Sequence, residues 1–112
     1  MVKRIYIPER GDLVWVNFNS SDGHEQKGLR PALVLSPILY NEKSGLCLIC
    51  PVTSKEKGYP FEVCLSSQSV GGVVLVDQIR SLDWQARDFK FVEKADNFVL
   101  QSVLAKIKTL LV

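Results

Sequence analysis

Residues Gly23-His24-Glu25-Gln26-Lys27-Gly28-Leu29-Arg30-Pro31 gather the only histidine of this 112-residue chain, a carboxylate, an amide, an ammonium and a guanidinium. Glu25 and His24 are groups that exchange protons, His24 with an ordinary pKa close to neutrality. Arg30 offers a planar fork that grips two oxygens of one anion and stays charged at any relevant pH. Such a stretch is either a solvated hairpin connection or an active site. Loops on a rigid sheet are where converging side chains can meet a ligand without disturbing a core. The elements on either side must decide between the two readings.

A chain of this length is most simply one domain, residues 1–112, large enough to bury a core without disulfides or a metal. With 46% hydrophobic and 23% charged residues it has the composition of an ordinary globular protein. Its net charge of +2 permits an acidic partner without pointing to one. Cys47, Cys50 and Cys64 are odd in number and sit in apolar runs, which argues against a secreted disulfide framework and for a reduced, cytoplasmic location. Cys47 and Cys50 have the spacing of half a zinc or redox motif, but residues three apart on a strand point to opposite faces, so no metal is expected. No signal peptide is legible, and no run approaches the ~20 apolar residues that span a bilayer.

Residues 12–18 alternate as a strand, with Val14, Val16 and Phe18 on one face and Leu13, Trp15 and Asn17 on the other. Arg10-Gly11-Asp12 matches an adhesion tripeptide by chance; Gly11 reads as the turn that opens the strand. Asn19-Ser20-Ser21-Asp22-Gly23 is turn chemistry leading into the polar stretch, which Pro31 closes as the first residue of the next strand. Residues 32–35 and 46–52 are continuously apolar, as strands buried on both faces are, with 40–45 a turn between them. Further strands are expected at 61–65 and 73–79, and an edge strand at 89–91. Trp15 and Trp84 are expected in the core or an interface. From Asp96, an N-cap, Leu100, Val103, Leu104, Ile107, Leu110 and Leu111 form one helical stripe.

Six or so short strands and one terminal helix describe a mainly β (α+β) fold, a small, strongly bent antiparallel sheet or barrel. One helix covers only part of such a sheet. The remaining apolar surface calls for a second copy of the chain, so a homodimer is expected.

The segments Gly11-Asp12-Leu13-Val14-Trp15-Val16, Gly23 to Ser36, Pro51-Val52-Thr53-Ser54, Lys57 to Val63 and Asp77-Gln78-Ile79-Arg80, in this order, closely resemble the MazF/PemK family of toxin endoribonucleases. The resemblance spans nearly the whole chain and is nearer to the chromosomal MazF branch than to the plasmid PemK/Kid branch. It implies an SH3-like antiparallel β-barrel, PemK/CcdB-like, with a C-terminal helix. It also implies a homodimer that binds single-stranded messenger RNA across its interface, cleavage without metal or other cofactor, and a cognate MazE-like antitoxin whose acidic, disordered tail covers the same surface.

RNA needs no metal for cleavage because its own 2′-hydroxyl can attack the adjacent phosphorus, given a base, charge stabilisation and an acid for the departing 5′-oxygen. The products are a 2′,3′-cyclic phosphate and a 5′-hydroxyl. Glu25 fits the base and Arg30 the stabilising cation, while the resemblance points to Arg30 as acid as well. Thr53 completes the catalytic set by bonding a phosphate or orienting Arg30. His24 and Asp77 are secondary, because the plasmid-branch site that uses a histidine and an aspartate also needs an arginine where this chain has Leu75. Asn19, Gln26, Lys27, Ser54, Lys55, Lys57, Gln78 and Arg80 are candidates for contacts with the RNA backbone or bases. The bland alternatives are solvated lysines and a surface pair of Glu25 with Arg30, of little energetic weight.

Similarity to the chromosomal branch suggests a short A/C-rich cleavage site such as ACA. A competing reading is a non-enzymatic, gyrase-inhibiting toxin of the CcdB type on the same fold, although that activity resembles one carried by a tryptophan tail and this chain ends Leu110-Leu111-Val112.

Overall fold

Alternating side chains on three adjacent strands sort the apolar residues into two cores, and those strands carry the rest of the molecule. The computed structural model describes residues 5–18, 28–67 and 69–112. Its elements are β1 (Asp12–Asn17), β2 (Leu29–Val34), α1 (Ile38–Ser44), β3 (Leu46–Thr53), β4 (Glu62–Cys64), β5 (Val73–Leu75), β6 (Arg80–Asp83), β7 (Lys90–Lys94) and α2 (Asn97–Leu111). Among the described residues the seven strands form one antiparallel sheet in the order β4-β5-β3-β2-β1-β7, with β6 also paired to β3. The described pairings leave the sheet open between β4 and β7.

Leu13 of β1, Leu33 of β2, and Cys50 and Val52 of β3 join Val63, Val74 and the α2 residues Val99 and Val103 in one core. Val14, Val16, Ala32, Val34, Cys47 and Ile49 turn the other way and pack with Leu82, Trp84 and Phe89 in a second. Double burial explains why β2 and β3 read as unbroken apolar runs. Cys47 and Cys50 fall in different cores, as their spacing on a strand requires. Burial pushes their thiols up to about 11 and about 12, so both stay protonated at neutral pH. The expectation that a second chain must cover one face needs correction. The second core is closed by this chain's own β6, the Trp84–Phe89 return and the N-terminal residues Tyr6 and Ile7. Ile38, Leu39 and Tyr40 of α1 and Leu46 and Leu48 of β3 stay exposed.

Four local expectations change. Residues 40–45 are not a turn: residues 38–44 form α1, ended by Gly45. Its sequence is too short for a helical stripe to show, and the helix is held by tertiary bonds to Asn41, which is fully buried. The Asn41 side chain donates to the carbonyls of Pro8 (2.8 Å) and Ser36 (3.0 Å) and accepts from the Ser36 hydroxyl, while its backbone carbonyl accepts from Trp84 Nε1 at 2.7 Å.

The strand expected over 73–79 stops at Leu75. The Gln78 N–H turns back to the Leu75 carbonyl at 3.2 Å, and the chain then returns along β3 as the unforeseen β6. Pro31 is the third residue of β2 rather than its first. It lies opposite Trp15, one residue before the described ladder with β3 begins at Ala32, so its missing N–H costs no bond there.

In α2 the Asp96 carboxylate caps Phe98 N–H at 2.8 Å as expected, but the buried stripe ends early: Leu110 and Leu111 are 46% and 76% exposed. Asp12, by contrast, is buried, bonded to the Tyr6 hydroxyl and to Glu9 N–H and paired with Lys94, so Arg10-Gly11-Asp12 presents no free tripeptide. No helix among the described residues is long and apolar enough to cross a membrane.

Candidate active site

Register alone brings two of the expected catalytic residues together. In the β2/β3 ladder Ala32 lies opposite Pro51. Two residues back along β2 and two forward along β3 the same alternation faces Arg30 toward Thr53, on one side of the sheet. Arg30, Thr53, Ser54 and Lys55 line a cleft of about 600 Å³, with Leu29, Pro31, Val52 and Gly71 as its remaining walls. Arg30 is half-buried near the start of β2, and Ser54 and Lys55 are exposed just past the end of β3.

The Thr53 hydroxyl already has a task. It accepts the Lys55 N–H at 3.1 Å, which folds the chain back over the strand end. A hydroxyl that accepts this way keeps its own hydrogen to donate, and that hydrogen is available to an anion in the cleft. Arg30 and Lys55 supply positive charge to the same space. The chemistry this supports is the gripping of a phosphate between a guanidinium fork and a hydroxyl donor.

A second cavity of about 200 Å³ adjoins the first, sharing Thr53 and Lys55 with it. Its other walls are Lys57, Tyr59, Phe61, Glu62, Leu75, Asp77 and Gln78. Aromatic and aliphatic walls beside an amide, two carboxylates and two ammonium groups suit a flat, polar-edged ring such as a nucleobase. Leu75 and Asp77 share this cavity. The Asp77 charge also contributes, after burial, to the raised Cys50 thiol.

Of the expected site residues, Arg30, Thr53, Ser54 and Lys55 therefore meet in the cleft, and Lys55, Lys57, Asp77 and Gln78 in the adjoining cavity. Arg80 is placed otherwise: its guanidinium stands 5.3 Å over the centre of the Phe18 ring. Asn19, His24, Glu25, Gln26 and Lys27 lie outside the described residues. Among the described residues no group of three or more His, Cys, Asp and Glu is placed to hold a metal ion.

Phe61 and Glu62 were missed as site residues, because from the sequence they read only as part of the strand expected over 61–65. Gly71-Gly72 read only as a break. Gly72 has φ +113°, and a Cβ there would lie 2.2 Å from the Thr53 carbonyl oxygen. Gly72 thus lets two backbones touch beside the cleft, a role that a glycine next to a strand signals.

Residues 9–111 match the family model described as PemK-like, MazF-like toxin of type II toxin-antitoxin system. The chain is 50% identical over 111 residues to the endoribonuclease toxin MazF of Escherichia coli K12, covering 99% of each. It is 34% identical over 116 residues to the Escherichia coli endoribonuclease PemK, covering 99% of this chain and 87% of that one. The crystal structure of MazE-MazF (Form-II) from Deinococcus radiodurans superposes with a TM-score of 0.90 at 53% identity, over 96% of this chain and 97% of that one. With a match over nearly its whole length, and with the seven-stranded sheet and C-terminal helix of those structures, the chain belongs to the family of PemK-like, MazF-like toxins of type II toxin–antitoxin systems.

Proposed function

We propose that the protein is a metal-independent endoribonuclease, the toxin of a type II toxin–antitoxin pair, which cuts single-stranded messenger RNA at a short sequence and so halts translation and growth. The observation that carries this reading is the convergence of Arg30, Thr53, Ser54 and Lys55 on one cleft. The family and the endoribonuclease names of the relatives agree with it.

Arg30 grips the scissile phosphate and neutralises the charge that builds on its oxygens, with Thr53 donating a hydrogen bond. Glu25 takes the proton of the 2′-hydroxyl as that oxygen attacks phosphorus. The bond to the 5′-oxygen breaks, and that oxygen leaves with a proton from Arg30 or His24. The ends left are a 2′,3′-cyclic phosphate and a 5′-hydroxyl. The enzyme works in the cytoplasm, and the acidic tail of a MazE-like antitoxin competes with RNA for the cleft.

The test is incubation of the purified protein with a long single-stranded RNA in EDTA. Cleavage at a recurrent short sequence, leaving cyclic phosphate ends and blocked by an acidic antitoxin peptide, is the expected result. RNA left intact overturns the reading.

The working unit in this proposal is a homodimer. Ile38, Leu39 and Tyr40 on α1 and Leu46 and Leu48 on the adjoining β3 are 36–65% exposed, and a second copy is the apolar surface that suits them. Sedimentation equilibrium is expected to give twice the 12.6 kDa chain mass, shifting toward the monomer in Leu48→Glu. A monomeric wild-type protein at micromolar concentration sinks the dimer.

A further inference from the structure

The segment between β3 and β4 carries Lys55, Lys57 and Tyr59 into the second cavity, yet it belongs to no strand or helix. Its middle is held by one side chain. The Glu62 carboxylate accepts the backbone N–H groups of Lys57 (3.1 and 3.2 Å), Gly58 (2.9 Å) and Tyr59 (3.3 Å), and Glu62 N–H returns a bond to the Tyr59 carbonyl at 3.1 Å.

Three successive amides converging on one anion form a concave nest, which requires a left-handed residue. Gly58, at φ +78°, supplies it. Around this nest Lys106 Nζ holds the Pro60 carbonyl at 2.6 Å, and the Lys57 ammonium stands 5.8 Å from the centre of the Tyr59 ring. The loop is thus fixed from three sides: Thr53 at its start, Lys106 at its end and Glu62 in its middle.

We infer that Glu62 is a positioning residue for substrate selection: its carboxylate holds the Lys57–Tyr59 backbone, and so the wall of the cavity that takes a base flanking the scissile phosphate. The inference rests on the endoribonuclease reading for its substrate. Its structural half, that the carboxylate orders the loop, stands apart from it. Glu62 does not reach the reacting phosphate in this scheme. Its loss therefore acts on binding and discrimination rather than on the chemical step.

The experiment compares wild type, Glu62→Ala and Glu62→Gln on two short oligoribonucleotides, one with the preferred cleavage sequence and one altered at a single flanking base. Glu62→Ala is expected to raise KM about tenfold, leave kcat within about twofold, and shrink the preference between the two substrates about tenfold. Glu62→Gln, whose amide oxygen still accepts N–H bonds, is expected to recover most of the preference.

Amide hydrogen exchange supplies a readout without RNA. Lys57, Gly58 and Tyr59 should exchange faster in Glu62→Ala and remain protected in Glu62→Gln. Unchanged exchange in Glu62→Ala overturns the inference, as does an unchanged preference or a loss confined to kcat. If Glu62→Ala does not fold, the same comparisons are made on Glu62→Gln, in which a preference lost without any change in amide protection also overturns it. Wild-type protein that cleaves no RNA overturns the endoribonuclease reading and the selection role with it, and exchange then still decides whether Glu62 orders the loop.

Discussion

Arg30→Ala is expected to reduce RNA cleavage by about a thousandfold or more while leaving the fold in place. The effect is large because the guanidinium is the charge in the cleft that a strand, rather than a loop, holds in position. β2 is tied to β1 through the Val16–Arg30 pair itself and to β3 from Ala32 onward. A cation preorganised in this way stabilises the transition state without moving, and the proposed scheme also makes it one of two candidates for the acid. Losing one preorganised donor alone costs about a hundred- to a thousandfold, and losing charge and proton together costs more. Arg30→Lys keeps the charge but not the two-pronged grip, so it should recover only part of the rate. The loss should fall on kcat, because the interaction strengthens as charge develops at phosphorus. Stability should shift by no more than about 0.5 kcal/mol, since Arg30 lies outside both cores. Single-turnover cleavage with a parallel denaturation curve measures both. Activity within about tenfold of wild type would remove Arg30 from the reaction.

Gly72→Ala should damage both the fold and the site. The added Cβ would meet the Thr53 carbonyl oxygen at 2.2 Å, the Thr53 carbonyl carbon at 2.8 Å and the Ser54 Cα at 3.1 Å. All three are backbone atoms, so no side chain can rotate away. Relief requires the pairing of Val73 with Thr53 to open or Gly72 to abandon its φ of +113°, and Leu65 N–H is bonded to the Gly72 carbonyl at 3.0 Å. Backbone strain of about 1–3 kcal/mol and overpacking of similar size give an expected destabilisation of about 2–5 kcal/mol. Thr53 and Ser54 move with the backbone, and a shift of about 1 Å at a site of this kind costs about a hundredfold in rate. Urea denaturation, with cleavage assayed where the variant remains folded, tests both parts. Gly71→Ala supplies the stability comparison: a Cβ there meets nothing within 4 Å, so the protein should stay about as stable as wild type. A Gly72→Ala protein with unaltered stability and rate would mean that the close approach does not set the Thr53 position.

Glycine, apolar alternation and chain order were enough to identify the strands that carry the site. Val14 and Val16 against Leu13, and the unbroken runs of β2 and β3, are consequences of side chains alternating across a sheet, a period of two that a sequence displays directly. The Asp96 cap of α2 is equally local, needing only a carboxylate two residues before an amide. Arg30 and Thr53 stood out in the sequence as residue types and through family resemblance. Their meeting depended on the register of β2 against β3, which is a long-range pairing.

What stayed illegible was decided by contacts between distant residues. Helix α1 exists because Asn41 satisfies the Pro8 and Ser36 carbonyls and receives Trp84, and Pro8 and Trp84 lie 33 and 43 residues away, beyond any seven-residue window. Strand β6 exists because the turn after Leu75 sends the chain back along β3. That same return covers the second core, which apolar patterning alone would have assigned to a partner chain. The second cavity arises only when the loop after β3 folds onto Glu62 and faces Leu75, Asp77 and Gln78. Residue types and periodicity thus determined every strand but β6, the terminal helix and the candidate chemistry. Tertiary pairing alone decided which polar groups share a space, because hydrogen bonds between distant segments leave no period in the chain.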